Sequence, residues 1–103
     1  MSKASLGSLG PYRLLNVVHT GHASQIWQAY DDAEGCFDAV KALLKRFRRD
    51  REHLGYLKRE YLVGSRLIHD RILRVLKFGK DRGILYLAME WFVGGTMKAR
   101  LRQ

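Results

Sequence analysis

The stretch CFDAVKALL at residues 36–44 decides how the rest of the chain is interpreted. It is mostly hydrophobic and follows the turn signal DDAEG at residues 31–35, so it predicts a β-strand. Side chains alternate across a strand, which places four of them on one face: Phe37, Ala39, Lys41 and Leu43. The Lys41 ammonium on this apolar face needs an anion as its partner, unless its flexible stem carries the charge out to water.

Length and composition describe a folded domain. The 103 residues correspond to one domain or part of one, and 47% hydrophobic with 28% charged residues is typical of a globular chain. No apolar run approaches the ~20 residues that span a bilayer, and the first residues lack the apolar core of a signal peptide. Cys36 is the only cysteine, so no internal disulfide can form and we expect a reducing, cytoplasmic location.

The net charge of +9 is unevenly distributed. Residues 1–40 carry two basic and four acidic side chains, whereas residues 41–103 carry seventeen basic and six acidic ones. Such asymmetry can mark a nucleic-acid surface, a solvated face, or a surface that meets another domain. The arginines are not interleaved with aromatic residues as in single-strand binding surfaces, so a basic nucleic-acid-binding domain is kept only as a second alternative.

The chain order predicts an α+β fold. Four further stretches have strand composition: residues 12–18, 25–30, 72–78 and 84–90. Apolar residues recur at three- and four-residue steps over residues 51–68, which predicts a helix that ends at residues 69–71. Residues 1–10 are rich in serine and glycine and are expected to form a flexible lead-in. Three strands, one helix and two strands predict a five-stranded antiparallel sheet with one packed helix.

The loop between the first two predicted strands consists of small residues. In HTGHASQI, residues 19–26, small side chains let backbone N–H groups approach phosphate oxygens without a clash. An ordinary hairpin turn is the better explanation of this loop when it is considered alone.

A carboxylate on the predicted helix offers a partner for Lys41. Glu60 lies nineteen positions downstream, at the margin of the apolar stripe. If the helix packs on the sheet, Glu60 can pair with Lys41 and leave other ammonium donors for a phosphate. Pairing with a helix neighbour, or solvation of the carboxylate, is the alternative.

The last predicted strand ends in MEWF at residues 89–92, before Gly94 and Gly95. Extended backbone that leaves a strand offers C=O and N–H groups to the edge of a flat heterocycle. Ile26 and Ala39 could cover the faces of such a ring. A strand end followed by a glycine turn is the simpler interpretation of this stretch alone.

Taken in order, these features resemble the N-terminal lobe of eukaryotic-type protein kinases, most of all bacterial serine/threonine kinases. Ala39-Val40-Lys41 is similar to the V-A-I-K motif, and Glu60 to the glutamate of the helix that follows it. HDRI at residues 69–72 resembles the H-P-N-I turn, and LYLAMEW at residues 85–91 the strand that leads to the hinge. The glycine-rich pattern is only partly kept, because His19 and Ser24 replace two of its three glycines.

The resemblance implies an ATP site within an N-lobe at residues 11–93. Lys41 would hold the α- and β-phosphates and Glu60 would orient it, whereas Glu90 and Phe92 would offer hinge backbone to the adenine. The residues implied to bind ATP are Val18, Gly21, His22, Ala23, Ser24, Ile26, Ala39, Lys41, Glu60, Met89, Glu90 and Phe92. Residues 94–103 would form the hinge exit and the start of the first C-lobe helix.

The motifs that complete such an enzyme do not occur in the sequence. H-R-D, D-F-G and A-P-E are absent, and residues 91–103 contain no Asp or Glu. We therefore expect a fragment that is inactive alone, with Mg²⁺ and a protein substrate bound only in the complete kinase and no metal ligand in this chain. A non-catalytic nucleotide-binding, regulatory module is the first alternative. Exposure of the surface that would face the C-lobe, including Trp91 and Phe92, predicts self-association.

Overall fold

The computed structural model describes residues 7–63, 65–68 and 71–91. Seven strands, one α-helix and a short 3-10 helix make up these parts of the chain. The strands are β1 (Ser8–Leu9), β2 (Tyr12–Thr20), β3 (Ser24–Asp31), β4 (Cys36–Leu43), β5 (Ser65–Ile68), β6 (Arg71–Asp81) and β7 (Ile84–Glu90). The 3-10 helix (Lys45–Phe47) and helix α1 (Arg51–Val63) lie between β4 and β5.

The strands form an antiparallel sheet in the order β1-β2-β3-β4-β7-β6-β5. Strands β1 to β4 pair in succession, and β7 then pairs with the other edge of β4. Val40 lies opposite Ala88 and Lys41 opposite Leu87 in that ladder. Because β4 has hydrogen-bonded neighbours on both sides, the position of each of its side chains is tightly fixed.

Both faces of the sheet bury apolar side chains, because alternate residues of β4 point to opposite sides. One face carries a cluster of Leu9, Tyr12, Ala29, Val40, Ala42, Tyr86 and Ala88. The other face carries Ala39 with Ile26 and Met89, and Leu43 with Leu57 and Leu87. The predicted alternation along residues 36–44 is therefore confirmed, and Lys41 lies on the face that carries α1.

Helix α1 packs on this second face through Leu57, which is only 2% exposed. Burying a leucine side chain of this kind contributes roughly 1.5–3 kcal/mol. Tyr61 adds a stacked contact with Phe78 of β6, with ring centroids 5.4 Å apart. The packing brings the inner face of the helix over β4 and β7.

Asp50 begins the helix as its N-terminal cap. Its Oδ1 accepts hydrogen bonds from the backbone N–H groups of Glu52 at 2.9 Å and His53 at 3.3 Å. Its carbonyl oxygen accepts a third bond from the N–H of Leu54, at 2.9 Å. The third bond is the first regular bond of the helix, and the two bonds to Oδ1 satisfy donors that a helix start otherwise leaves unpaired, which explains why α1 starts at Arg51.

The five predicted strands are present, but the predicted five-stranded sheet is wrong because two strands were missed. Ser8–Leu9 pairs with β2, and Leu9 is fully buried, so these two residues belong to the fold and not to a flexible lead-in. Ser65–Ile68 was predicted as the end of the helix and instead forms a strand that pairs antiparallel with Arg71–Arg74. The element order therefore gains a strand before the first predicted one and another directly after the helix.

The helix ends at Val63, five residues before the predicted boundary. Glycine is a poor helix former, and Gly64 follows that last helical residue, so continuing the helix there is unfavourable. Residues 69 and 70, which were expected to end the helix, lie outside the described residues. Among the described residues, no helix combines the length and apolar character required to cross a membrane.

Candidate functional site

Lys41 and Glu60 form an ion pair between β4 and α1. The Nζ of Lys41 lies 2.8 Å from Oε2 of Glu60, and the two side chains are 19% and 11% exposed. The pairing predicted from the strand alternation and the helix position is thus confirmed. A charge-assisted hydrogen bond of this length, largely screened from water, holds the lysine side chain in one orientation.

This pair can present an ordered cation to an anionic ligand. An ammonium has three N–H donors, and the contact with Glu60 uses one of them. Removing the carboxylate would leave a mostly buried positive charge without this partner, which is costly. The geometry therefore suits binding and orienting a group such as a phosphate.

The loop between β2 and β3 closes as a tight hairpin above the pair. The N–H of Gly21 donates to the carbonyl oxygen of Ser24 at 2.8 Å, and the N–H of Leu44 donates to that of Ala23 at 2.7 Å. A Cβ added at Gly21 would meet only ordinary contacts, the nearest at 3.7 Å. The observed loop conformation therefore does not require glycine at this position.

A cleft of about 410 Å³ lies between this loop, β4 and α1. It contains both members of the ion pair and has charged, polar and apolar walls. Its lining residues are Ala23, Ser24, Lys41, Leu43, His53, Tyr56, Leu57, Arg59 and Glu60. The volume suits a phosphate-bearing small molecule.

Three residues predicted to lie around a heterocycle form one buried cluster next to the ion pair. Ile26, Ala39 and Met89 pack together, with Val75 and Trp91 against them. Ile26 is opposite Lys41 in the β3–β4 ladder, and Ala39 is opposite Met89 in the β4–β7 ladder. The sheet register therefore sets a buried apolar cluster next to Lys41.

The other predicted residues are placed differently. Val18 on β2 is 47% exposed and is not part of the cleft lining or of this cluster. The ring of His22 faces Phe47 of the 3-10 helix, with centroids 5.5 Å apart. Glu90 ends β7 opposite Asp38. Phe92 lies outside the described residues.

Sequence reasoning missed three cleft residues on the helix. His53, Tyr56 and Arg59 line the cleft beside Glu60. The spacing of positions 53, 56 and 60 contains the signal, because residues three, four or seven apart share one helix face. Only the apolar residues of that face had been used to orient the helix.

Aromatic rings connect the loop to the start of the helix. Phe47 and His53 lie 4.5 Å apart between centroids, and His22 and Tyr56 each lie within 6 Å of one of these two rings. The Tyr56 hydroxyl donates a hydrogen bond to Glu52 at 2.9 Å, and this bond raises the pKa of the tyrosine. The hydroxyl is therefore protonated near neutral pH. The ring contacts hold the start of the helix to the loop.

The chain is similar in sequence to serine/threonine-protein kinases of bacteria. The chain is 26% identical over 92 residues to a probable serine/threonine-protein kinase of Clostridium acetobutylicum, covering 89% of this chain and 14% of that protein. It is 30% identical over 99 residues to the serine/threonine-protein kinase PknA of Mycobacterium tuberculosis, covering 91% of this chain and 23% of PknA. No family model matches the chain.

The chain also resembles solved structures of a kinase domain. The crystal structure of the Mycobacterium tuberculosis PknI kinase domain superposes with a TM-score of 0.60 at 25% identity, over 88% of this chain and 37% of that one. A double mutant of that domain gives a TM-score of 0.63, also at 25% identity, over 88% of this chain and 36% of that one. The chain thus spans less than a quarter of these curated relatives and just over a third of the kinase domain.

Proposed function

We propose that this chain, which matches the N-terminal lobe of serine/threonine protein kinases in sequence and fold, binds ATP in the cleft beneath the β2–β3 loop. The Lys41–Glu60 ion pair is the observation that carries the proposal. A lysine fixed by a carboxylate, under a small-residue loop and beside an apolar surface, matches the chemistry of a nucleotide with a charged tail and a flat base.

The phosphates would be held by the charged side of the site. Lys41 would donate to the α- and β-phosphates while Glu60 keeps its side chain in place. The Ser24 hydroxyl and the small side chain of Ala23 face the same cleft. The loop can therefore approach the phosphates closely although it contains a single glycine.

The adenine would lie against the apolar cluster. Ile26 and Ala39 supply flat, nonpolar contact, and Met89 closes the back of this surface. Glu90 follows on the same strand, where its backbone groups can reach the edge of the base. Shape and burial would thus select the base, and Lys41 would select the phosphates.

These 103 residues alone would not catalyse phosphoryl transfer. The sequence has no H-R-D or D-F-G motif, and its described residues contain no group of three His, Cys, Asp or Glu side chains that could hold a metal ion. A serine- or threonine-containing protein substrate and Mg²⁺ would therefore need residues beyond these.

A regulatory, non-catalytic nucleotide-binding module is the second candidate. His19 and Ser24 replace two of the three loop glycines, and this replacement favours the regulatory module. The phosphate-binding loop of an enzyme with rapid turnover is expected to keep those glycines. The two candidates share the ATP site and differ in whether a C-lobe completes catalysis. Adding a kinase C-lobe in trans, or expressing the chain joined to one, and measuring phosphate transfer to a serine peptide distinguishes them.

Calorimetric titration of the chain with ATP tests the shared claim. We expect saturable binding that Lys41→Met abolishes, since the substitution keeps a long apolar stem and removes the charge. Lys45→Met is the matched control, because Lys45 is exposed just beyond β4 and is not a cleft residue. Absence of binding at millimolar ATP contradicts the proposal, as does equal binding by wild type and Lys41→Met.

Phosphotransfer assays test the claim of inactivity. The purified chain with Mg²⁺ and ATP should not label a generic serine/threonine substrate. Transfer that Lys41→Met abolishes would show that these residues suffice for catalysis and would overturn this part of the proposal.

A further inference from the structure

The helix side of the cleft carries a second cation. Arg59 lines the cleft next to Glu60, and Tyr56 and His53, about one and two turns earlier on the helix, line it as well. Glu60 already balances the charge of Lys41 through the 2.8 Å contact. Arg59 is exposed at the wall of the cleft, so it adds a positive charge there beyond that of the balanced pair.

One backbone N–H donor of the loop is already used within the loop. The N–H of Gly21 is engaged within the loop, where it donates to the Ser24 carbonyl oxygen. A phosphate in this cleft would not receive this N–H and would need a side-chain donor in its place.

Side chains with such donors line the cleft from both walls. Ser24 lines the cleft from the loop side and carries a hydroxyl, and Arg59 lines it from the helix side and carries a planar fork of N–H donors. His53 also lines the cleft, with its Nδ1 3.3 Å from a carboxylate oxygen of Asp50. These donors lie around the same space as Lys41.

We propose that Arg59, assisted by Ser24 and His53, binds the β- and γ-phosphates of the nucleotide. This contact would make the site prefer ATP and ADP over AMP. The inference rests on the proposed ATP site and specifies how that site recognises phosphate. Side-chain donors on α1 would replace contacts that the glycine-poor loop does not make.

Binding of ATP, ADP and AMP to the 103-residue chain and its variants tests this inference. Arg59→Ala should raise the Kd for ATP by about three- to tenfold, as expected for a charge-assisted bond at a partly open site. The Kd for AMP should stay unchanged, because AMP lacks the phosphates concerned. Arg59→Lys should recover part of the affinity, since it keeps the charge and loses the fork.

Lys58→Ala is the matched control. Lys58 precedes Arg59, is exposed, and is not among the cleft-lining residues, so its loss removes the same charge from the helix without touching the site. We expect its ATP affinity to remain at the wild-type value. Circular dichroism melting of each variant shows that the fold is retained.

The outcomes separate this inference from the proposed function. Wild-type chain that binds no nucleotide overturns the proposed ATP site itself. ATP binding that depends on Lys41 but is equally strong in wild type, Arg59→Ala and Lys58→Ala overturns only the role of Arg59. An equal loss for AMP and ATP in Arg59→Ala also overturns it, because the effect would then not involve the additional phosphates.

Discussion

At the scale of single residues, the Lys41–Glu60 pair connects the fold to the proposed chemistry. Strand alternation put Lys41 on the helix-facing side, and the helical pattern put Glu60 at the edge of the apolar stripe. The structure brings their charged atoms within 2.8 Å. Neither residue would be informative alone, because isolated lysines and glutamates are usually solvated.

Glu60→Gln tests the orienting role of the carboxylate. The substitution keeps the shape and removes the charge, so we expect ATP affinity to fall about tenfold and the free energy of unfolding to drop by about 1–3 kcal/mol. ATP titration and urea denaturation measure the two effects. Glu34→Gln, on the exposed turn between β3 and β4, should leave nucleotide affinity unchanged, and an equal loss in both variants would contradict a specific role for Glu60.

Asp50 makes the stability of the fold depend on pH on the acid side. Its pKa is lowered from the ordinary value of 3.8, chiefly by the hydrogen bond from the His53 backbone and then by the contact with the His53 side chain. A carboxyl with a lowered folded-state pKa contributes stability above its unfolded pKa, and loses it as the pH falls through the folded value. Stability should therefore decrease below about pH 4.

Thermal melts across pH 2 to 6, roughly the range around this transition, measure the effect in wild type and in Asp50→Asn. Asparagine also caps helices but cannot titrate in this range. The variant should lose less of its melting temperature than wild type as the pH falls. Parallel curves for the two proteins would show that Asp50 does not contribute to the acid transition.

At the scale of elements, helix α1 positions half of the site and depends on its buried stripe. Leu57→Ala removes the side chain that packs against Leu43 and Leu87, so we expect a loss of about 2–4 kcal/mol in the free energy of unfolding. Leu62→Ala is the control, because that leucine is 73% exposed on the same helix and should cost less than about 0.5 kcal/mol. Chemical denaturation checks both values, and similar costs would mean that α1 is not anchored through Leu57.

Strands were predictable where hydrophobic alternation was long, and the misses have physical causes. Ser8–Leu9 has only two residues, too few for a periodic pattern, and its identity as a strand comes from pairing with β2 and burial of Leu9. Residues 65–68 continue the apolar steps of the helix in sequence, so the periodicity extended the helix too far. Tertiary pairing with β6 outweighed that local pattern.

The part of the site that lies on the sheet could be predicted from the sequence. Ile26, Ala39 and Met89 meet because strand register brings them together. His53 and Arg59 were missed because polar residues on a helix give no sign, in sequence, of whether they face solvent or a cleft. Only the packing of α1 on the sheet determines that.

At the scale of the whole molecule, exposed apolar side chains predict association. Trp91 packs against the cluster beneath the proposed adenine site, and Leu15, Val17 and Val18 on β2 are each at least 40% exposed. We therefore expect sedimentation velocity to show a weight-average mass that rises with concentration. Trp91→Ser should weaken this association, and a monomer at every concentration would contradict the prediction.

The most direct test of the account asks which lysine lies against bound nucleotide. An ATP analogue with an amine-reactive group on its phosphate end can be incubated with the chain and the modified lysine identified by mass spectrometry. We predict modification at Lys41, suppressed by excess ATP, with exposed Lys45 and Lys58 modified only to a low level that ATP does not change. Modification spread evenly over the lysines, or labelling of Lys41 that ATP fails to prevent, would contradict an ATP site built on the Lys41–Glu60 pair.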